Sequence, residues 1–173
     1  MSARTTCSVS VTDVTTAAVT DVDGLGRQVP LGFKLLVPQA IGNGTPTQDA
    51  GDQTWIYVEN STGAAWAAGT VVMRTDAATT YQCTIAVANI ESAKVVGVSQ
   101  HAVAAGSFSF VLREGMGEVL CDGNVAANQG IIVAANPGQA TIVAADTDDA
   151  FGFATEVDAG AGSLVTALFN CLG

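Results

Sequence analysis

The sequence predicts an all-β protein: a compact antiparallel β-barrel or sandwich built from two similar halves, preceded by an extended N-terminal arm. Three observations support this fold class. Ala, Val, Thr and Gly make up more than half of the 173 residues. Short stretches that alternate polar and apolar residues are separated by glycine-containing turns, which is typical of strands. The second part of the chain also repeats itself. The sequence has no Leu-, Glu- and Lys-rich heptad stretch of the kind that indicates a coiled coil.

The first fifty residues differ from the rest and predict an arm with a linker at 1–52. Around Ser8 the residues alternate polar and apolar, so that Val9 and Val11 share one face of a strand. A second short strand is predicted within 31–37, and a loop rich in Gly and Pro follows at 41–52. Two isolated strands with long polar gaps cannot bury a core alone, so we expect this segment to lie on a neighbour.

The remainder, 53–173, is predicted to be one internally duplicated β domain. Four short motifs recur in the same order, at separations of 55 to 61 positions. They are Gly69–Val72 with Gly130–Val133, 82–85 with 139–142, 97–99 with 152–154, and 106–112 with 162–168. Two antiparallel halves of this kind would close into a barrel or sandwich and protect each other's edges.

Aromatic residues two positions apart predict the buried faces of strands, because side chains alternate between faces along a strand. Three such pairs occur and are expected to form core ladders rather than a ligand platform: Trp55 with Tyr57, Phe108 with Phe110, and Phe151 with Phe153.

The charge distribution argues against nucleic-acid and membrane partners. Sixteen acids and six scattered bases give a formal net charge of −10. Binding to phosphates needs clustered Lys and Arg, and an acidic chain is repelled by DNA and by anionic lipid. No apolar run reaches the roughly 18 residues that cross a bilayer, and no secretory signal is recognised at the N-terminus, so synthesis in the cytoplasm is expected.

The sequence predicts no enzyme and no cofactor. His101 is the single histidine, and a catalytic partner would have to be a serine such as Ser99 or an acid supplied by the fold. The four cysteines are far apart and form no Cys-x-x-Cys pair, so free buried thiols are expected rather than zinc ligands.

One acidic group leaves two interpretations open. Three of the four residues at 146–149 are Asp, which is either a solvated turn or a Ca²⁺ site with oxygen ligands. The group lacks the glycine and the distal glutamate of a typical Ca²⁺ loop, which favours the solvated turn.

Several segments of the body carry a family resemblance: Trp55–Val58, Ala67–Val72, Val95–Gln100 with Gly106 after it, and the closing run from Phe151 to Leu168. In these residues the chain resembles the capsid decoration, or cement, proteins of tailed bacteriophages, over about two-thirds of its length. The resemblance implies a β-tulip-like body that forms a homotrimer. It also implies a place in the virion, on the outer surface of the phage head, where the protein binds the major capsid protein and stabilises the lattice.

The resemblance also suggests where contacts lie. The apolar residues of the arm are the predicted capsid contacts, namely Val9, Val11, Leu31, Phe33 and Leu35. Trp66, in a turn-like Ala-rich stretch, is the predicted oligomer interface.

Two other functions remain open. One is a β module associated with a phage tail or fibre. The other, from a different class, is a carbohydrate-binding β-sandwich that would stack sugars on Trp55, Trp66 or Tyr81.

Overall fold

The computed structural model describes residues 22–23, 27, 29–37, 51–75, 81–88, 90, 92–143 and 150–173. Within these ranges the regular elements are strands, apart from one 3₁₀ turn at Ser92–Lys94, which confirms the all-β class. No helix in the described part of the chain has the length and apolarity to cross a membrane. The strands are β1 Val22–Asp23, β2 Lys34–Val37, β3 Gln53–Asn60, β4 Val71–Arg74, β5 Gln82–Ile85, β6 Val95–Val98, β7 Phe108–Leu120, β8 Gln129–Val133, β9 Ala140–Ile142, β10 Gly152–Ala154 and β11 Leu164–Asn170.

The first half closes into a five-stranded barrel. Its strands follow the order β3-β5-β4-β6-β7, and β3 pairs with both β5 and β7, which completes the circle. The β3–β5 pairing is parallel and short, joining Glu59 to Gln82 and Asn60 to Cys83, while the other pairings are antiparallel. Closure protects the edges of the strands in this ring, although β6 and β7 are joined through the single pair Val98–Leu112.

The second half repeats this arrangement and uses β7 again. The 13-residue strand β7 continues beyond the first ring, and Glu114–Leu120 pair with β11. The order β7-β11-β10-β8-β9 then matches β3-β7-β6-β4-β5. A parallel bridge between Cys121 and Ala140 joins the ends of this second ring, at the position where Asn60 and Cys83 join the first.

Backbone hydrogen bonds confirm the duplication residue by residue. Ala86 donates to the carbonyl of Val71, and Val143 donates to the carbonyl of Gly130. A second pair of equivalent bonds joins a glycine to the residue at each parallel pairing. The amide of Gly106 donates to the carbonyl of Asn60, and the amide of Gly162 donates to the carbonyl of Cys121. The two halves therefore share their backbone pairing as well as short sequence motifs.

The structure corrects one step of the sequence alignment. The sequence matched Gly69 with Gly130, but the hydrogen bonds make Gly69 equivalent to Asn128, two residues earlier. The amide of Gly69 donates to the carbonyl of Ser99, and the amide of Asn128 donates to that of Ala154, which is the residue equivalent to Ser99. Both residues have a positive φ, +80° for Gly69 and +62° for Asn128. Asparagine is among the few residues that tolerate this left-handed conformation, so glycine in one half is replaced by asparagine in the other.

The core has two parts. Ile56 and Val58 of β3 point into the first barrel, where they pack with residues of β4, β6 and β7. Trp55 and Tyr57, on the opposite face of β3, belong to a larger cluster that joins the outside of the first ring to the inside of the second. Because both faces of β3 are covered, this strand is buried along most of its length.

The aromatic ladders are confirmed in two of three cases. Trp55, Tyr57 and Phe110 are buried in the larger cluster, and Phe108 packs against it. The third pair is wrong: Phe151 is buried, but Phe153 is 43% exposed. The reason is that Phe151 precedes β10, which begins at Gly152, so the alternation of faces along the strand does not extend to it. Phe153 lies beside Leu168 on the outer face of the second ring, which is exposed.

Two glycines allow β7 to pass from one ring to the other. Gly115 has a φ of +107°, and a Cβ added there would lie 2.7 Å from the carbonyl oxygen of Asp52. A Cβ on Gly117 would overlap the side chains of Leu112 and Gln100. The pairing of β7 with β3 shifts register between Leu112 and Glu114, and a β-bulge of this kind bends the strand. This bend depends on residues without side chains.

Side-chain amides complete the edge of β7 beyond this bend. Gln100 donates to the carbonyl of Glu118 at 2.9 Å and accepts from its amide at 2.8 Å, in the manner of a neighbouring strand. Gln53 donates to the carbonyl of Met116 at 2.7 Å. The backbone of β7 is thus satisfied where no strand lies beside it.

Replacing Gly115 by Ala is expected to destabilise the protein by about 2 kcal/mol or more, because the new Cβ meets backbone and the φ is strained. Urea denaturation gives the change in free energy of unfolding. Gly63→Ala is the matched control, since nothing lies within 4 Å of its added Cβ. Equal stability of the two variants would contradict the role given to Gly115.

Candidate functional site

The single histidine lies beside a different serine from the one suggested by the sequence. His101 Nε2 is 2.6 Å from Oγ of Ser109, whereas the hydroxyl of Ser99 donates to the backbone carbonyl of His101. Ser109 is completely buried within the first ring. The pair therefore joins the loop after β6 to the strand β7, and its hydroxyl is not presented to solvent.

The described cysteines are free and buried, as predicted. Cys83, Cys121 and Cys171 form no disulfide among themselves and are each fully enclosed. Burial raises the pKa of each thiol to about 12. They remain protonated at neutral pH and pack as small apolar side chains.

The acidic group at 146–149 lies outside the described residues, so its two interpretations stay open. Within the ranges that the structure describes, no three His, Cys, Asp or Glu side chains are grouped as metal ligands would be.

Asp158 organises two loops at one end of the second ring. Its carboxylate accepts hydrogen bonds from the amide of Gly123 at 2.7 Å, from the amide of Gly160 at 2.7 Å and from the hydroxyl of Ser163. Partial burial would raise the pKa of this carboxyl, but these bonds and one from the backbone of Val125 together lower it below its ordinary value.

Three of the predicted capsid contacts lie in a layer on the body. Leu31, Phe33 and Leu35 are half-buried and pack against the larger core cluster. Leu35 lies opposite Trp55 in the pairing of β2 with β3. The ring of Phe33 meets that of Phe110 edge-on, with centroids 6.4 Å apart.

Backbone hydrogen bonds attach this layer firmly. Gly32 donates to the carbonyl of Tyr57 at 2.8 Å, and Tyr57 donates to the carbonyl of Phe33 at 2.9 Å. The sequence contains a signal for such a cover: four consecutive apolar residues, Trp55 to Val58, indicate a strand buried on both faces. Val9 and Val11 lie outside the described residues, and the division of the chain at 52/53 stays a prediction.

Trp66 is enclosed within its own chain. It forms a two-way backbone pair with Val103, at 2.9 and 3.0 Å, and its side chain is 1% exposed. The ring packs in the first barrel with Ile56 and Val72. Its role at an oligomer interface stays a prediction, and in the single chain the ring offers almost no surface for it.

The aromatic residues considered for sugar stacking are also covered. Trp55 is 4% exposed, so both tryptophans of the chain are buried. Tyr81 is half-buried, and the guanidinium of Arg74 lies 4.4 Å from its ring centre. These three rings offer no open platform for a sugar.

Comparison with known proteins identifies a similar fold in a solved structure. No protein-family model matches the chain, and no curated protein matches its sequence. A solved structure, the N base of head fiber gp8.5 of bacteriophage phi29, aligns with a TM-score of 0.50 at 17% sequence identity. The alignment covers 66% of this chain and 93% of the gp8.5 chain, and at this identity the likeness shows the fold.

The Asp158 interactions predict a pH-dependent contribution to stability. Because the pKa is lowered by folding, the ionised carboxylate stabilises the native state above the unfolded pKa, and this contribution is lost as the pH falls below about 4. We expect Asp158→Asn to lower the urea midpoint at pH 7 and to have a smaller effect at pH 3.

The control for this comparison is Asp52→Asn, which removes one charge from an exposed position. A difference between wild type and Asp158→Asn that stays constant from pH 7 to pH 3 would contradict the role of ionised Asp158.

Proposed function

We propose that this chain is a structural protein of a tailed-phage virion that binds the outer surface of the head. The observation that carries the proposal is the shared fold with the base of a phage head fiber, which extends over 93% of that chain. More specifically, we propose that the protein is a capsid decoration protein that contacts the major capsid protein and stabilises the lattice. It acts through surface complementarity, without catalysis and without a cofactor.

The architecture suits a protein that must stay folded and unaggregated on the surface of a particle. The pairing of β3 with β5 and β7 and the amides of Gln53 and Gln100 leave little unpaired backbone in the first ring or along β7. Protected edges prevent uncontrolled strand addition between copies that lie close together. The net charge of −10 keeps the protein from adhering to nucleic acid during assembly.

The pairing of β2 within the chain supports a contact made by strand addition. β2 joins β3 as an antiparallel neighbour through four residue pairs, from Lys34–Ile56 to Val37–Gln53. Strand addition of this kind uses backbone hydrogen bonds for affinity and alternate side chains for specificity. We propose that Val9 and Val11 contact the shell, in the manner in which Leu31, Phe33 and Leu35 contact the body.

Many weak contacts suffice on a repeating lattice. A homotrimer presents three N-terminal segments at once, so that the second and third contacts form at high effective concentration. The oligomer and the capsid partner are both parts of this proposal.

A fibre-associated β module is the second candidate, because the similar structure is itself described as the base of a head fiber. The two roles differ in copy number per particle. A decoration protein occupies a whole class of lattice positions, whereas a fibre base occupies only as many positions as there are fibres.

The full chain is expected to bind shells assembled from the major capsid protein encoded in the same genome. Co-sedimentation over a range of concentrations measures the binding, and quantitative gel analysis gives the ratio at saturation. Saturation at a fixed simple ratio to capsid subunits supports the decoration role, and a much lower fixed ratio supports the fibre base. Absence of binding would overturn both.

Charged residues at the predicted contacts should weaken this binding. We expect Val9→Asp with Val11→Asp to reduce affinity for the shells by about tenfold or more, because an apolar contact is replaced by buried charge. The matched control is Val87→Asp, at a position that is 45% exposed on the body. Unchanged affinity of the double variant would show that Val9 and Val11 do not contact the shell.

A further inference from the structure

One face of the second ring is apolar and open. Met116 of β7, Leu168 of β11 and Phe153 of β10 lie side by side in the register of the three strands. Leu168 is 48% exposed and Phe153 is 43% exposed. Leu164, four residues before Leu168, is on the same side of β11 and is 41% exposed. We call the set Met116, Leu120, Phe153, Leu164 and Leu168 the β11 face.

The duplication shows that this face is of a kind that elsewhere in the molecule is packed. Leu168 and Phe153 of the second ring correspond to Leu112 and Val98 of the first. Leu112 and Val98 are completely buried. They belong to the cluster that joins the two rings. The second ring thus keeps apolar residues at positions whose counterparts are covered, and an exposed apolar sheet face of this kind marks an interaction site.

Acidic residues run between the apolar rows. The Met116–Leu168–Phe153 row and the Leu120–Leu164 pair are separated by Glu118, which lies opposite Thr166. Glu156 reaches the same place, since its carboxylate accepts a hydrogen bond from the amide of Thr166 at 2.6 Å.

One of these acids, Glu156, is held in its ionised form at neutral pH. Hydrogen bonds from the backbone and side chain of Thr166 lower the pKa of Glu156. Glu114, at the next acidic position along β7, has a side chain 47% exposed. Arg113 donates to the carbonyl of Gly173 and also pairs with Glu114, with Nε 3.7 Å from Oε1, so the charge of Glu114 is already partly neutralised within the chain.

We propose that the β11 face docks onto the shell protein, at a surface that is apolar at its centre and carries Lys or Arg beside it. This inference rests on the proposed function and adds a second contact, on the body, to the one proposed for the N-terminal segment. The charge of the face distinguishes between a second copy of this chain and the shell protein as its partner. A second copy using the same face would bring Glu118 and Glu156 against their own equivalents, whereas a basic partner neutralises them.

The test uses the full chain and the same assembled shells. The double variant Phe153→Ser and Leu168→Ser removes the centre of the face, and we expect it to bind at least about tenfold more weakly. Val87→Ser, which removes an exposed apolar side chain elsewhere, is expected to bind as the wild type does. Leu168→Thr, which keeps strand propensity, provides a second variant should the double variant lose thermal stability.

The outcomes separate the two proposals. If the wild type does not bind the shells, the proposed function fails and this inference fails with it. If the wild type and the double variant bind equally, only the β11 face is wrong. If the double variant loses oligomer mass in analytical ultracentrifugation, the face joins copies of this chain and the proposed shell contact is overturned.

The charge part of the proposal has its own measurement. Shell binding of the wild type should weaken as salt is raised, because ion pairs across the interface are screened. Glu118→Gln is expected to reduce this salt dependence, and its backbone bonds to Gln100 do not involve the altered side chain. An unchanged salt dependence would overturn the assignment of a basic partner surface.

Discussion

The pairing of β7 on both of its halves is the constraint on which the rest of the structure depends. Phe108 to Leu112 close the first ring against β3 and β6, and Glu114 to Leu120 begin the second ring against β11. Because one continuous strand serves two rings, neither half can shift its register without moving the other. The cluster that lies between the rings then buries apolar residues of both, which holds them at a fixed relative position.

The sharing of β7 also explains where the backbone is unusual. A strand that leaves one ring and enters another must bend away from its first neighbour, and Gly115 and Gly117 make this bend without steric conflict. Beyond the bend the strand has no neighbour on one side, and Gln53 and Gln100 supply hydrogen bonds there instead. The two glycines are two positions apart in the sequence, but their role is evident only once both rings are in place.

The two halves of the duplicated body are not in equivalent surroundings. The face outside β6 and β7 in the first ring is covered by the rest of the chain, and the corresponding face at β10 and β11 is not. The residues at both places are apolar, Leu112 and Leu168 being the clearest pair. A duplicated unit thus brings its packing face to the surface once, and this exposed face is the one for which we propose a shell contact.

The sequence by itself determined the strand-rich composition, the duplicated body, the buried free thiols of Cys83, Cys121 and Cys171, and the burial of Trp55, Tyr57 and Phe110. These follow from residue type and from the alternation of side chains along a strand, which are local properties. Only the tertiary structure decided that β7 serves both rings, that Gly69 matches Asn128, that His101 meets Ser109, and that Phe153 faces outward. Each of these depends on which element lies beside a residue, and pairing between strands distant in the chain is set by the closure of the rings rather than by the residues nearby.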